Sequence, residues 1–74
     1  MLCTYNVERK LLDKASKITP GKRAPTVTTL DDPDWVAISA MVERKTVATV
    51  MDRLSEIGAE DILITKIENS RTAL

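Results

Sequence analysis

Four groups of residues in this sequence have the types and spacing to do chemistry. Asp31, Asp32 and Asp34 place three carboxylates around Pro33. Such a run can hold Mg²⁺ through oxygen ligands. It is also turn chemistry, because Asp side chains bond nearby backbone amides and proline fixes φ. Cys3 is the single cysteine, and no histidine exists to activate its thiol; a small buried residue is the simpler reading. Asp52 and Glu56, at i and i+4, have the spacing of an acid–base pair or of a solvated helix face. Finally, Pro20-Gly21-Lys22-Arg23-Ala24-Pro25 joins a glycine to two cations. It can cradle an anionic group such as a carboxylate against backbone amides, or be a plain surface loop. None of the four makes a self-contained catalytic centre.

The elements that must position these residues follow from local pattern. Leu2 to Val7 is short, rich in β-formers and partly alternating, so it reads as a strand. Asn6 offers a side-chain oxygen near a helix start. From Glu8 to Ile18, Leu11, Ala15 and Ile18 recur at i, i+4 and i+7, and Pro20-Gly21 ends that helix. Thr26 to Leu30 is a β-branched run after a proline. Asp31 to Asp34 turns the chain, and Trp35 to Val42 is the second strand of a hairpin. Val36, Ile38, Ala40 and Val42 share one face of it; Trp35, Ala37, Ser39 and Met41 share the other. Both faces are apolar or small, so this strand is central and covered on both sides. Glu43 to Ile57 carries an apolar stripe of Val47, Val50, Met51, Leu54 and Ile57, with Gly58 at the left-handed cap position. Asp61 to Ile67 is the last strand, followed by a polar tail. The order β-α-β-β-α-β predicts an α+β, ferredoxin-like fold: a four-stranded antiparallel sheet with two helices on one face.

Composition bounds the rest. Seventy-four residues make one small domain, and a chain of this size is marginally stable without a disulfide, a metal or oligomerisation. One cysteine and no histidine exclude an internal disulfide and the common zinc sites. Oligomerisation is the support that remains, with a modestly stable monomer as the alternative, and the second face of the sheet is where a second subunit would pack. Eleven basic residues balance eleven acidic ones without an extended basic patch, and Tyr5 and Trp35 are the only aromatics. No nucleic-acid partner is expected. No apolar run approaches the roughly 20 residues of a membrane span, and MLCTYNVERK lacks the form of a signal peptide. A cytoplasmic setting with no membrane partner is the expectation.

Several segments carry a resemblance. Thr4-Tyr5-Asn6-Val7, Ile18-Thr19-Pro20-Gly21, Ala24-Pro25-Thr26-Val27 and Asp32-Pro33-Asp34-Trp35-Val36-Ala37 form one series. Met51-Asp52-Arg53-Leu54, Ile57-Gly58-Ala59, Asp61-Ile62-Leu63 and Ile67-Glu68-Asn69 continue it. Together they resemble the C-terminal regulatory domain of the long-form ATP phosphoribosyltransferases, nearly end to end. The resemblance implies that residues 1–74 are a single PII/ACT-like regulatory domain, the C-terminal part of a larger enzyme. That enzyme joins ATP to phosphoribosyl pyrophosphate, with Mg²⁺, in the first step of histidine biosynthesis. Its catalytic domains lie N-terminal to this segment, so this chain alone has no catalytic residues, metal or cofactor of its own. The implied partners are L-histidine as feedback inhibitor, those catalytic domains, and further copies of the chain in a trimer or hexamer.

The resemblance also implies effector-binding positions: Asn6, Lys22, Thr26 and Asp61. Asn6 stands where the family often has an acidic residue, Asp61 where a small one is common, and Lys22 where an apolar one occurs. We expect Asn6 at one end of the sheet and Thr26 and Asp61 at the other, roughly 20 Å away. A histidine molecule does not span that distance, so a site using all four residues would form between two copies. Two rival readings are a purely structural PII-like assembly module and a stand-alone sensor of another small molecule.

Overall fold

A computed structural model describes residues 1–21 and 24–66. Lys22, Arg23 and residues 67–74 lie outside the described set, and with them the end of the last expected strand and the tail. The described chain folds as β1 (Leu2–Glu8), α1 (Leu12–Ile18), β2 (Thr26–Thr29), β3 (Trp35–Met41), α2 (Val47–Glu56) and β4 (Glu60–Thr65). The strands form one four-stranded sheet in the order β2-β3-β1-β4, every neighbouring pair antiparallel. This is the ferredoxin-like arrangement that the element order predicts.

Alternation along β1 and β3 decides what each face does. Cys3, Tyr5 and Val7 stand beside Ala40, Ile38 and Val36 in register, and all six are buried. Ala15 of α1 and Val50 and Leu54 of α2 close over them, with Ile62 and Ile64 of β4 packed at the margin. Leu2, Thr4, Asn6 and Glu8 alternate with the buried set and point away from the helices, opposite Met41, Ser39, Ala37 and Trp35. No element of the described chain covers that second face. β3 is central in the sheet; its second face is open among the described residues.

Both helices start later than their apolar spacing predicts. Each opens with a 3-10 turn, Arg9–Leu11 and Arg44–Thr46, before α-geometry sets in. The flanking residues are Glu8 and Glu43, and neither side chain caps the helix. Without a side-chain acceptor for the first amides, the opening turn tightens. Asn6 lies too early to cap α1, and its side chain is engaged elsewhere. The end of α2 behaves as its sequence indicates. Gly58 has φ +88°, the Gly58 amide donates to Ser55 O at 3.1 Å and the Ala59 amide to Leu54 O at 3.0 Å. These two bonds define a Schellman cap.

The end of α1 is tied to β1 through the core. Thr19 is the one buried polar residue among those described. Its Oγ1 donates to Ala15 O at 3.3 Å and shares a 2.7 Å hydrogen bond with Tyr5 Oη, which also reaches Ala15 O at 3.4 Å. At the other end of β1, the Arg9 amide donates to Asp34 O at 2.7 Å and Arg9 Nε to Pro33 O at 3.0 Å. The hairpin turn is thereby fastened to the strand beside it.

Candidate functional site

The acidic turn resolves as structure. Asp32 Oδ1 accepts the Asp34 amide at 2.9 Å, and the Trp35 amide donates to Asp32 O at 3.2 Å. This is an Asx turn. Among the described residues, no three His, Cys, Asp or Glu side chains converge to hold a metal ion. Asp52 and Glu56 are both exposed on α2. Cys3 is fully buried, and loss of solvation pushes its thiol pKa upward, the opposite of what a nucleophile needs.

The implied effector residues fare differently. Asn6 Nδ2 donates to Asp61 Oδ2 at 3.3 Å, although 55 positions separate them in sequence. The expectation that Asn6 and Asp61 occupy opposite ends of the sheet is overturned. β4 runs antiparallel to β1, so its first residues lie beside the last residues of β1; Glu60 is the register partner of Asn6. Thr26 is not at a far end either. It faces Ser39, which in turn faces Thr4. β2 is short and staggered, so Thr26 sits level with the middle of β1. From strand spacing it is roughly 12 Å from Asn6 and roughly 15 Å from Asp61, backbone to backbone. Lys22 lies outside the described residues.

These three residues share the open face. Asn6 and Asp61 line a concavity of about 310 Å³ with Thr4, Thr28, Ser39 and Leu63. Thr26 lines a neighbouring one of about 340 Å³ with Gly21, Ala24 and Met41, and Ser39 borders both. The lining is a mixture of hydroxyls, one amide, one carboxylate and apolar groups. Met41 is 42% exposed and Leu63 63% exposed. The surface can hydrogen-bond a small polar molecule and still offer apolar area to a second protein surface.

The sequence reading missed Thr4, Thr28 and Ser39. Their signal was available, since Thr4 shares the face of Asn6 by simple alternation and Thr28 that of Thr26. It also missed an irregularity in β4. Leu63 faces Thr4 and Glu60 faces Asn6, so Asp61 and Ile62 together stand opposite Tyr5. Asp61 has φ +53°, the only left-handed non-glycine among the described residues. This is a β-bulge, and no local residue pattern announces it.

Comparison with known proteins decides the family. The family model described as "HisG, C-terminal domain" matches residues 1–69. The chain belongs to the HisG C-terminal domain family. The ATP phosphoribosyltransferase of Schizosaccharomyces pombe is 61% identical to it over 71 residues, 96% of this chain and 23% of that protein. The ATP phosphoribosyltransferase of Yarrowia lipolytica is 52% identical over 71 residues, 96% of this chain and 24% of that protein. That of Saccharomyces cerevisiae is 48% identical over 69 residues, 93% of this chain and 23% of that protein. The HisG C-terminal domain described here thus spans about a quarter of the length of these curated relatives. No helix among its described residues is long and apolar enough to cross a membrane.

Proposed function

We propose that this chain is the regulatory domain of a longer ATP phosphoribosyltransferase, and that it binds L-histidine to inhibit that enzyme by feedback. The chain by itself performs no catalysis. The ATP, phosphoribosyl pyrophosphate and Mg²⁺ chemistry belongs to the N-terminal catalytic domains of the parent, in the cytoplasm. The observation that carries the reading is the meeting of Asn6 and Asp61 on the uncovered sheet face, beside a concavity of amino-acid size. Family membership supplies the enzyme, and the distance between Asn6 and Asp61 in sequence makes their meeting a property of the fold.

The site forms between subunits. A small-molecule site encloses most of its ligand's surface, whereas this concavity lies on a sheet face that no element among the described residues covers. A second copy packed there, in a trimer or hexamer, would close it over Asn6, Thr26 and Asp61. The exposed Met41 and Leu63 supply apolar contact for that packing. The inhibitory mechanism follows by linkage. Histidine favours the subunit arrangement that completes its pocket, and shifts the enzyme by its differential affinity for that arrangement. Coupling of about 1–3 kcal/mol is usual for such systems.

Calorimetric titration of the purified chain with L-histidine tests the proposal, at protein concentrations where sedimentation shows assembly. L-arginine and L-glutamine serve as controls. Selective, saturable heat with L-histidine is expected. Assembly without heat would replace the reading with a purely structural PII-like module. Saturable heat with a control instead would make the domain a sensor of another small molecule.

A further inference from the structure

Asp61 is the one charged residue lining the Asn6 concavity; the other lining groups are hydroxyls, an amide and apolar side chains. Among the described residues no cation pairs with it, since the ion pairs present are Lys10–Glu8 and Lys45–Glu43. Its one side-chain partner among the described residues is the Asn6 amide at 3.3 Å, long beside the 2.7–2.9 Å of a good charge-assisted bond. Among those residues the carboxylate therefore has no charged partner.

It is also held there at a cost. A left-handed φ costs a residue with a Cβ more than glycine, although Asp and Asn adopt it more readily than other such residues. The bulge places Asp61 in that conformation and turns its side chain onto the open face, while the adjacent Ile62 packs toward the core. Bulges commonly re-aim a side chain beside a functional site, and backbone strain concentrates where function requires it. A glycine would build the same bulge more cheaply but would leave the concavity uncharged.

We infer that Asp61 is the specificity residue of this site: its carboxylate receives the ligand's ammonium group, and the site selects ligands that carry a free primary amine. This rests on the effector reading above and deepens it, by assigning which end of the amino acid sits at the bulge. Asn6 orients the carboxylate from one side, and the hydroxyls of Thr4 and Ser39 surround the amine without competing charge.

The test compares the unaltered chain with Asp61→Gly and Asp61→Asn by calorimetry and thermal denaturation. The probes are L-histidine, histamine (which keeps the amine and lacks the carboxylate) and 3-(imidazol-4-yl)propionate (which keeps the carboxylate and lacks the amine). The unaltered chain is expected to bind L-histidine, to retain weaker binding of histamine, and to reject the propionate. Both variants should lose about tenfold or more in histidine affinity, the usual worth of a hydrogen bond to a charged group. Asp61→Gly should melt no lower than the unaltered chain, because glycine fits the left-handed position. Undiminished histidine binding by either variant, or propionate binding equal to histidine, would overturn the assignment and leave the effector reading standing. Histamine binding that depends on Asp61, without histidine binding, would uphold the assignment and remove the effector reading. Binding of neither amine by the unaltered chain would overturn both.

Discussion

The two faces of the sheet come from the same strands and differ by one step along them. Cys3, Tyr5 and Val7 face the helices, whereas Thr4 and Asn6 between them face away. The covered face is aliphatic and closed, and its one polar contact, Tyr5 with Thr19, is internally satisfied. The open face carries hydroxyls, an amide and a carboxylate held on a left-handed bulge. Among the described residues every buried polar side chain has a partner, whereas the polar groups of the open face are only partly covered. In a domain this small, stability and recognition are separated by direction of pointing rather than by distance. A substitution should therefore disturb one and spare the other.

The sharpest way to break the covered face is Leu54→Ala. Leu54 is fully buried in the last turn of α2, and such truncations cost about 2–5 kcal/mol. A domain of this size loses roughly 4–8 °C per kcal/mol, so thermal denaturation should show a large fall in midpoint or an unfolded chain. Tyr5→Phe is milder. It removes the hydroxyl that is hydrogen-bonded to Thr19 but leaves Thr19 bonded to Ala15 O, so a loss of about 1 kcal/mol is expected in urea denaturation.

Alkaline pH should weaken the covered face further. Burial raises the pKa of both Cys3 and Tyr5; for Tyr5 the Thr19 hydrogen bond opposes that rise and the nearby Cys3 adds to it. The folded state thus holds protons that the unfolded chain releases. The stability these groups contribute is complete below the ordinary thiol and phenol range, about 8.5 to 10. It declines as pH rises through that range and on through the elevated folded values. Melting curves taken from neutral to alkaline pH should record this decline, and Cys3→Ala should make it shallower. The smallest effect belongs to the open face. Leu63→Ser should change the stability of the single copy by no more than about 0.5 kcal/mol, while shifting sedimentation toward the monomer.

Where the sequence was readable, a period was present. The i, i+3, i+4 stripe ending at Gly58 gave α2 and its cap. Alternation from Trp35 gave β3 and both its faces, and the Pro-rich and Asp-rich turns separated the elements. The helix starts were less legible, because Glu8 and Glu43 mark no cap and the first turns tightened instead. The antiparallel sheet was legible, yet Asn6 and Asp61, both implied by resemblance, were expected at opposite ends of it. An antiparallel β4 begins beside the end of β1, so the pairing itself brings them together, with a bulge that only tertiary pairing sets. Pairing register is fixed by the whole hydrophobic pattern rather than by any local motif. The open-face hydroxyls, in contrast, followed from alternation once Asn6 was placed.

The account rests on the open face being the one that binds. Amide chemical shifts of the isotopically labelled chain, followed through a titration with L-histidine, test this most directly. The account predicts saturable shifts that cluster at Thr4, Asn6, Ser39 and Asp61, with Ala15, Val50 and Leu54 beneath the sheet little changed. Shifts confined to the helical layer, or none at concentrations where the chain assembles, would contradict it.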